Sequence, residues 1–365
     1  MALSLIPEFA RADDGSANVQ REAKTAPGAP TVRGGMKVNS FVDNDGNRIM
    51  SPLTSVKAEI SEDLSVGAHA AYDVMSCASV DVISAATPKG KFSEVRKEYG
   101  ANVELRSDMW IFTTAALYSL ENDFLSLTGS VGASRDFAQR NTTVGLGYSY
   151  SNSTVGRALD NNFQKPLLIQ TGQASLTQVL NPRLIAQFSY YLSQIDGFQE
   201  SPYRTARFID GTAGPENVPD RRQRHATALR KRWAITNQNF LSSDYRFYLD
   251  TWGIQSHTLE LGFTQTARPW FTWRVRSRLY SQSGTDFYRS IYESHKGFKT
   301  ADRELGPFTS GMAGAKTTFY LGDLLPLQDF ALDFKVDVMK QSFSDYPQLN
   351  ERLMLVTEIG LSTAY

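Results

Sequence analysis

The sequence contains a single cysteine, Cys77, among its 365 residues. One cysteine excludes an internal disulfide, a CxxCH haem attachment and a thiolate cluster for zinc or an iron–sulfur centre, and we interpret it as a small loop residue. The four histidines lie on different segments, without the spacing of metal ligands; they are His69, His225, His257 and His295. The sequence therefore predicts no metal site and no cofactor.

Net charge and long apolar runs are also missing. Lys plus Arg number 38 and Asp plus Glu number 38, so no overall field attracts nucleic acid or an anionic membrane surface. No stretch approaches the roughly 20 apolar residues that a membrane-spanning helix requires. A nucleic-acid partner and a helical membrane protein are therefore excluded.

Instead, apolar and polar residues alternate with a period of two through segments of about ten residues, and turn-forming residues separate these segments. The last segment is the clearest example, and one of its faces is formed by Leu353, Leu355, Thr357, Ile359, Leu361, Thr363 and Tyr365. Its other face, which includes Glu358 and Ser362, suits a polar interior. Aromatic residues make up 12% of the chain, as expected if they form girdles at two membrane interfaces.

These segments predict an all-β fold, a transmembrane antiparallel up-and-down β-barrel of about 16 strands. The predicted strand centres are Val38, Val56, Ala70, Asn102, Thr114, Gly129, Gly147, Thr171, Gln187, Ala228, Tyr245, Leu259, Val275, Ala315, Phe334 and Ile359. A soluble sandwich could also place polar residues outward. No helices or second core would cover the apolar faces, however, so a closed sheet in lipid is favoured.

The chain divides into three predicted regions. Residues 1–12 are interpreted as the remnant of an export signal that ends in the small-x-small sequence Ala10-Arg11-Ala12. Residues 13–31 are rich in Gly, Ala and Pro and predict a flexible periplasmic leader. Residues 32–365 form the predicted barrel, in the outer membrane of a Gram-negative bacterium. Short turns alternate with long loops, so we expect both termini on the periplasmic side, with the short turns.

Several stretches resemble a family of predicted Gram-negative outer-membrane β-barrel proteins classed as a domain of unknown function. The first stretch is Tyr72-Asp73-Val74-Met75-Ser76-Cys77-Ala78-Ser79 followed by Asp81-Val82-Ile83-Ser84-Ala85-Ala86-Thr87-Pro88. The others are Arg96-Lys97-Glu98-Tyr99-Gly100, Arg140-Asn141-Thr142-Thr143, Asp210-Gly211, Glu216-Asn217-Val218-Pro219-Asp220-Arg221-Arg222, Tyr245-Arg246-Phe247-Tyr248 and Asp250-Thr251-Trp252-Gly253. The resemblance implies the barrel fold and the outer-membrane location. It carries no established activity, but members tend to be encoded near periplasmic flavin-transfer and redox genes, which implies a candidate periplasmic redox or export partner.

Charged residues follow one face of four consecutive predicted strands and predict a charge ladder in the lumen. They are Arg224, Arg230, Arg232, Asp244, Arg246, Asp250, Glu260, Arg274, Arg276 and Arg278. Because faces match across a hairpin, we expect Arg230 near Asp244, and Glu260 opposite or diagonal to Arg274 and Arg276. Glu260 is the only obvious acidic neighbour of Arg274, Arg276 and Arg278 on the preceding strand, so some positive charge is expected to remain unpaired there. Acidic residues elsewhere on the wall could balance it over the whole barrel, including Glu98, Glu104, Asp329, Asp333 and Asp337. Bracing of the wall and selection of solutes are both open as roles.

The first resembling stretch also offers a candidate cation-binding loop, because oxygen atoms of Asp73, Ser76, Ser79 and Asp81 suit a hard cation such as calcium. Their spacing matches no defined calcium loop. The favoured interpretation is that these side chains form Asx and Ser turns that keep a long loop compact.

The sequence shows no nucleophile elbow or other catalytic signature, and we predict that the protein is not an enzyme. The first functional hypothesis is a pore or conduit for small hydrophilic solutes across the outer membrane. The alternative is a non-conducting barrel scaffold that anchors an extracytoplasmic redox or surface assembly. Outer-membrane lipid and the barrel-insertion machinery are the partners that either hypothesis requires.

The terminal aromatic residue, preceded by alternating apolar residues, predicts an assembly signal in the final strand. Deleting Tyr365 is expected to reduce insertion, measured as the yield of folded protein in the outer-membrane fraction. Normal yield of the shortened chain would contradict this interpretation.

Overall fold

The computed structural model describes residues 31–77, 92–158, 160–322, 328–346 and 349–364. The predicted export-signal remnant and the leader up to residue 30 lie outside these ranges, as do Ser79, Asp81 and Tyr365.

Nearly all of the described chain is β-strand. The first eight strands are β1 (Thr31–Asp43), β2 (Arg48–Glu59), β3 (Leu64–Cys77), β4 (Phe92–Ser107), β5 (Trp110–Leu120), β6 (Phe124–Phe137), β7 (Thr142–Arg157) and β8 (Asp160–Asn181). The others are β9 (Leu184–Gly197), β10 (Thr205–Arg207), β11 (Ala213–Pro215), β12 (Arg221–Ala234), β13 (Asn239–Asp250), β14 (Gln255–Arg268), β15 (Phe271–Gln282), β16 (Phe308–Tyr320), β17 (Gln328–Phe343) and β18 (Glu351–Ala364). One 3-10 turn, Arg303–Leu305, lies in the connection between β15 and β16.

All strands except β10 and β11 form one closed antiparallel barrel in which each strand pairs with its neighbours along the chain. The barrel closes between β1 and β18, with pairs that run from Arg33 opposite Ala364 to Asp43 opposite Met354. The two remaining strands form a small hairpin between β9 and β12. The predicted barrel of 16 strands is confirmed, because each predicted strand centre falls within a different barrel strand. No helix in the described part of the chain is long and apolar enough to cross a membrane.

The alternation of the sequence sets the two faces of the wall. On β18, Leu355, Ile359 and Leu361 are 41%, 55% and 39% exposed, whereas Met354 and Glu358 are buried. A similar outward apolar row runs along β17, where Phe334, Val336 and Val338 are exposed. A continuous apolar exterior of this size is unfavourable in water and suits contact with lipid.

Aromatic side chains gather on the exterior near one end of the barrel. Trp110 stacks on Phe112 with ring centroids 5.6 Å apart, and the rings of Trp270, Phe271 and Phe319 contact one another. Aromatic rings are favourable at the level of the lipid headgroups. This end therefore carries an interfacial girdle.

The connections differ between the two ends of the barrel. At the end with the girdle, turns such as those between β8 and β9 and between β14 and β15 contain only two residues; we call this the short-turn end. At the opposite end, residues 198–220 and 283–307 form the long connections between β9 and β12 and between β15 and β16; we call this the long-loop end. Both termini of the barrel, Thr31 and Ala364, lie at the short-turn end.

Adjacent residues of β18 provide a matched test of the two faces. Leu361→Arg is expected to destabilise the folded barrel, because Arg on the lipid face costs from about 0 to 1 kcal/mol near an interface to about 2 to 4 kcal/mol at mid-bilayer. Ser362→Arg places the same side chain in the lumen and is expected to be tolerated. Unfolding in lipid vesicles as a function of urea concentration measures both variants, and equal destabilisation would contradict the assignment of faces.

Candidate functional site: the barrel lumen

Two different walls face each other across the lumen. The inward side chains of β12 to β18 and β1 include many charged residues, whereas those in the middle of β6 to β9 are uncharged. We call these the charged wall and the hydroxyl wall. In the closed strand order, β6 to β9 lie opposite β16 to β18.

Glu260 of β14 is at the centre of the predicted ladder. It lies directly opposite Arg278 of β15, which donates from Nε to Glu260 Oε2 at 2.7 Å. The other oxygen, Oε1, lies 3.6 Å from Arg274 and 3.7 Å from Arg276. One carboxylate thus lies within ion-pair distance of all three arginines. In the register Arg278 is directly opposite Glu260 and Arg276 is diagonal to it as expected, whereas Arg274 lies opposite Thr264, beyond the diagonal position.

A second carboxylate, which the predicted ladder did not include, reaches Arg276 from two strands away. Asp337 of β17 accepts hydrogen bonds from Arg276 at 3.1 Å and 2.6 Å. Its carboxylate crosses β16 above Gly314, where a Cβ atom would lie only 1.8 Å from Asp337 Oδ1. Glycine at this position is therefore a condition for the contact. Arg276 thus has an acidic partner on β17 in addition to Glu260 on the preceding strand.

Further ion pairs extend this cluster along the wall. Lys335 lies 3.5 Å from Asp337 and 3.9 Å from Glu358, and Lys37 of β1 lies 3.6 Å from Glu358. Lys316 lies 3.4 Å from Asp333. We call the whole set the ion-pair belt; it consists of Lys37, Glu260, Arg274, Arg276, Arg278, Lys316, Asp333, Lys335, Asp337 and Glu358. Its six cations outnumber its four carboxylates, so the belt carries an excess of positive charge.

The predicted ladder residues on β12 and β13 pair with a shifted partner. Arg230 lies opposite Asp244 in the register, as expected, but the bidentate ion pair to Asp244 comes from Arg232. Within the described residues Arg230 makes no ion pair. Arginine is long enough to reach the diagonal neighbour, and this accounts for the shift.

Asp250 likewise pairs with a residue outside the predicted set. Arg224 lies opposite it, yet the buried guanidinium of Arg222 donates to its carboxylate from Nε at 2.9 Å. Tyr248 donates to the same oxygen at 2.6 Å. Arg246, also on the inward face, lies opposite Ala228 and Thr258. The ladder residues therefore share one wall, and their role in solute selection stays a prediction.

The hydroxyl wall is built from alternate positions of four strands. Its inward residues are Ser126, Thr128, Ser130, Gly132 and Ser134 on β6, Gly145, Gly147, Ser149, Ser151 and Ser153 on β7, Thr171, Gln173, Ser175 and Thr177 on β8, and Gln187, Ser189, Tyr191 and Ser193 on β9. Near the long-loop end, the hydroxyls of Ser126, Thr128, Ser151 and Ser153 bond to one another at 2.9 to 3.4 Å.

A cavity of about 330 Å³ lies against the part of this wall that is nearer the short-turn end. We call it the trough; its polar lining includes Thr113, Ser130, Ser134, Ser149, Gln173 and Ser175. In the described part of the chain none of these six side chains bonds to another protein group. Gly132, Gly145 and Gly147 leave the space that larger side chains would fill.

The two long connections pack together at the long-loop end. Thr300 donates to Glu216 at 2.6 Å, Arg204 donates to Asp302 at 2.5 Å, and Phe208 packs on Tyr292. We call residues 198–220 and 283–307 together the loop bridge. Burial raises the pKa of Glu216 above its ordinary value, against the opposing effect of the nearby Arg204 guanidinium.

The loop bridge is attached to the rim at points far from the strands that carry it. Tyr203 donates to Asp123 in the turn between β5 and β6 and accepts from the backbone of Ala158 at 2.6 Å. Arg303 pairs with Asp45 in the turn between β1 and β2. The bridge therefore links three further regions of the rim across the mouth.

Two of the four candidate cation-binding residues, Asp73 and Ser76, lie in the described part of the chain. Asp73 is buried, and its carboxylate lies 3.1 Å from the Nε atom of Arg96. The Nη2 atom of the same guanidinium donates to Glu98 at 3.1 Å. Ser76 lies within β3. No group of three or more metal-ligating side chains occurs among the described residues.

The sequence prediction omitted the hydroxyl wall and Arg222, and it gave Asp337 only as one of several wall residues that could balance charge over the whole barrel. The hydroxyl wall has a sequence signal, since Ser, Thr or Gly occupies every second position of residues 126–134 and 145–153. The contacts of Arg222 and Asp337 have none, because each contact depends on the position of a neighbouring strand.

Comparison with solved structures shows the same kind of fold. A bacterial polysaccharide outer membrane secretin aligns with 93% of this chain and 100% of its own, at 11% identity and a TM-score of 0.54. The outer membrane protein OpdK from Pseudomonas aeruginosa aligns with 92% of this chain and 99% of its own, at 8% identity and a TM-score of 0.48.

No curated protein sequence matches the chain. Residues 68–173 and 168–326 match the family described as "Protein of unknown function (DUF3570)". Together the two segments cover well over half of the chain and include β4 to β16. The chain therefore belongs to this family, DUF3570, and has the closed 16-stranded barrel fold of an outer-membrane protein.

Proposed function

We propose that this protein is a pore for small hydrophilic solutes in the outer membrane of a Gram-negative bacterium. The observation that carries the proposal is a closed barrel of 16 strands whose inward face is polar and contains an unfilled trough. Barrels of about 16 to 18 strands are wide enough to leave an aqueous channel unless a segment fills them. Passage of water and small solutes follows from this width.

The exterior supports the membrane location and an orientation. Apolar side chains cover the outward faces of β17 and β18, and the aromatic girdle marks one interface. Barrels of the outer membrane have short periplasmic turns and long outer loops. We infer that the short-turn end, with both barrel termini, faces the periplasm and that the loop bridge faces outward.

The ion-pair belt gives the pore a modest preference for anions. Its cations outnumber its carboxylates, and confined charge in a lumen raises the local concentration of counter-ions. The effect is local and screened over about 8 Å at physiological ionic strength. Because most belt charges are compensated, the preference is weak.

A second candidate function, the non-conducting scaffold, is favoured by one observation, the loop bridge. Its contacts with the turns that hold Asp123 and Asp45 extend over the mouth. If the bridge stays closed, the barrel is an anchor for a periplasmic redox or export partner. Conductance of the purified protein in planar bilayers separates the two functions, since a closed barrel carries no current.

Changing Arg274, Arg276 and Arg278 to Gln tests the anion preference. The triple variant leaves Glu260 and Asp337 without these partners, so the reversal potential in a salt gradient is expected to shift toward cation preference. Arg183→Gln, in an exposed turn between β8 and β9, is the control and should leave the reversal potential unchanged. A conducting triple variant with the wild-type reversal potential would remove the arginines from ion selection.

The buried Glu216 predicts that the loop bridge responds to pH. Because burial raises its pKa, the packed bridge binds a proton more readily than the open one. Closure is therefore strongest at low pH and weakens as the pH rises through the raised pKa. Conductance is expected to fall as the pH on the loop side is lowered from 7 to 5. Glu216→Gln should abolish this dependence, whereas Glu293→Gln, at an exposed position of the bridge, should retain it; a pH dependence unaffected by Glu216→Gln would refute the assignment.

A further inference from the structure

The trough combines two properties that are separated elsewhere in the lumen. It has open space, about 330 Å³, at the lower end of the range of about 300 to 1,000 Å³ that small-molecule sites occupy. It also has hydrogen-bonding side chains that the protein does not use itself. In the charged wall, by contrast, the long side chains of the ion-pair belt bond to one another across strands.

The chemistry of the lining excludes several classes of solute. No charged residue lines the trough, so nothing there compensates the charge of an ion that leaves bulk water. Ile111 is the one large apolar side chain on its inward lining, so an apolar solute would leave the polar groups without partners. A solute that fits must be neutral and must offer both donors and acceptors.

The unused groups have the hydrogen-bonding character of hydroxyl-rich solutes. Thr113, Ser130, Ser134, Ser149 and Ser175 each offer one donor and two acceptor lone pairs, and Gln173 offers an amide that donates and accepts. They lie on four neighbouring strands, β5 to β8. Such a set can bond to several hydroxyls of one molecule at once.

Glycines hold two of these hydroxyls in place over the wall. A Cβ atom at Gly132 would lie 2.6 Å from the Thr113 hydroxyl oxygen, and one at Gly145 would lie 2.7 Å from that of Ser175. Both contacts are too close for a side chain. Because Gly132 and Gly145 have no side chains, Thr113 and Ser175 extend over them, and no side chain projects into the trough from these two positions.

We propose that the trough is a binding subsite for neutral polyhydroxylated solutes of the carbohydrate class. The inference rests on the proposed pore function, because it names the solute that the lumen passes. Such a solute moves along the hydroxyl wall and exchanges bonds to water for bonds to these side chains. The ion-pair belt on the opposite wall stays paired and contributes no specific contact.

The first measurement uses the full-length chain, purified in detergent, and maltotriose as the probe. Saturation-transfer NMR is expected to show weak binding of maltotriose and none of a polyethylene glycol of equal mass, which lacks hydroxyl donors along its chain. Absence of maltotriose binding at tens of millimolar, or equal binding of the polyether, would overturn the proposal without any variant.

The second measurement uses matched variants. Thr113→Val combined with Gln173→Leu removes hydrogen bonding and roughly keeps volume, and is expected to weaken binding about tenfold. Thr128→Val is the control, because this hydroxyl lies on the same wall but already donates to Ser151 at 2.9 Å; its binding should change less than twofold. Equal weakening in both proteins would place the interaction elsewhere and overturn the assignment.

Planar-bilayer recordings distinguish this inference from the proposed function. Open-channel current that maltotriose interrupts, with fewer interruptions in the Thr113→Val and Gln173→Leu double variant, supports both. Current without any sugar binding overturns the subsite and leaves the pore. Sugar binding without current overturns the pore and leaves the trough as a binding site on a closed barrel.

Discussion

The backbone pairing of β1 with β18 is the interaction on which the rest of the structure depends. In a bilayer no water satisfies an open strand edge, so every backbone N–H and C=O group must pair within the protein. The pairs from Arg33 and Ala364 to Asp43 and Met354 complete the circle. Once the sheet is closed, each strand residue faces either lipid or lumen, so the alternation of apolar and polar residues in the sequence corresponds to these two faces.

Closure also determines how charge can be placed inside. A charged side chain that lies against the barrel wall is only partly hydrated, and it is favourable there when partners lie within reach. The side chains of the ion-pair belt supply such partners across strands. Gly314 of β16 has no side chain, and this leaves the space through which Asp337 reaches Arg276. The hydroxyl wall has no such need, because neutral groups tolerate contact with water alone. Long paired side chains therefore fill one side of the lumen, and space remains on the other.

The family stretches concentrate at the mouth more than at the belt. Arg222 pairs with Asp250 and lies 4.2 Å from the ring of Trp252, and Trp252 packs edge-on against Phe287 of the loop bridge at 5.3 Å. Glu216 accepts from Thr300 within the bridge. These contacts hold the bridge to the rim. Their physical role is to position the loop bridge over the mouth of the barrel.

The sequence by itself determined the fold class, the number of strands and the face of each side chain, because a period of two is a local property that closure preserves. It also placed Glu260 close to Arg274 and Arg276, since hairpin neighbours are adjacent in the chain. Only the tertiary structure decided that Asp337 joins these arginines over Gly314 and that Arg232, not Arg230, binds Asp244. It alone brought residues 198–220 onto residues 283–307 and set the hydroxyl wall opposite the charged one. These arrangements depend on strand tilt, side-chain reach and loop packing, which link residues distant in the chain and leave no local pattern in the sequence.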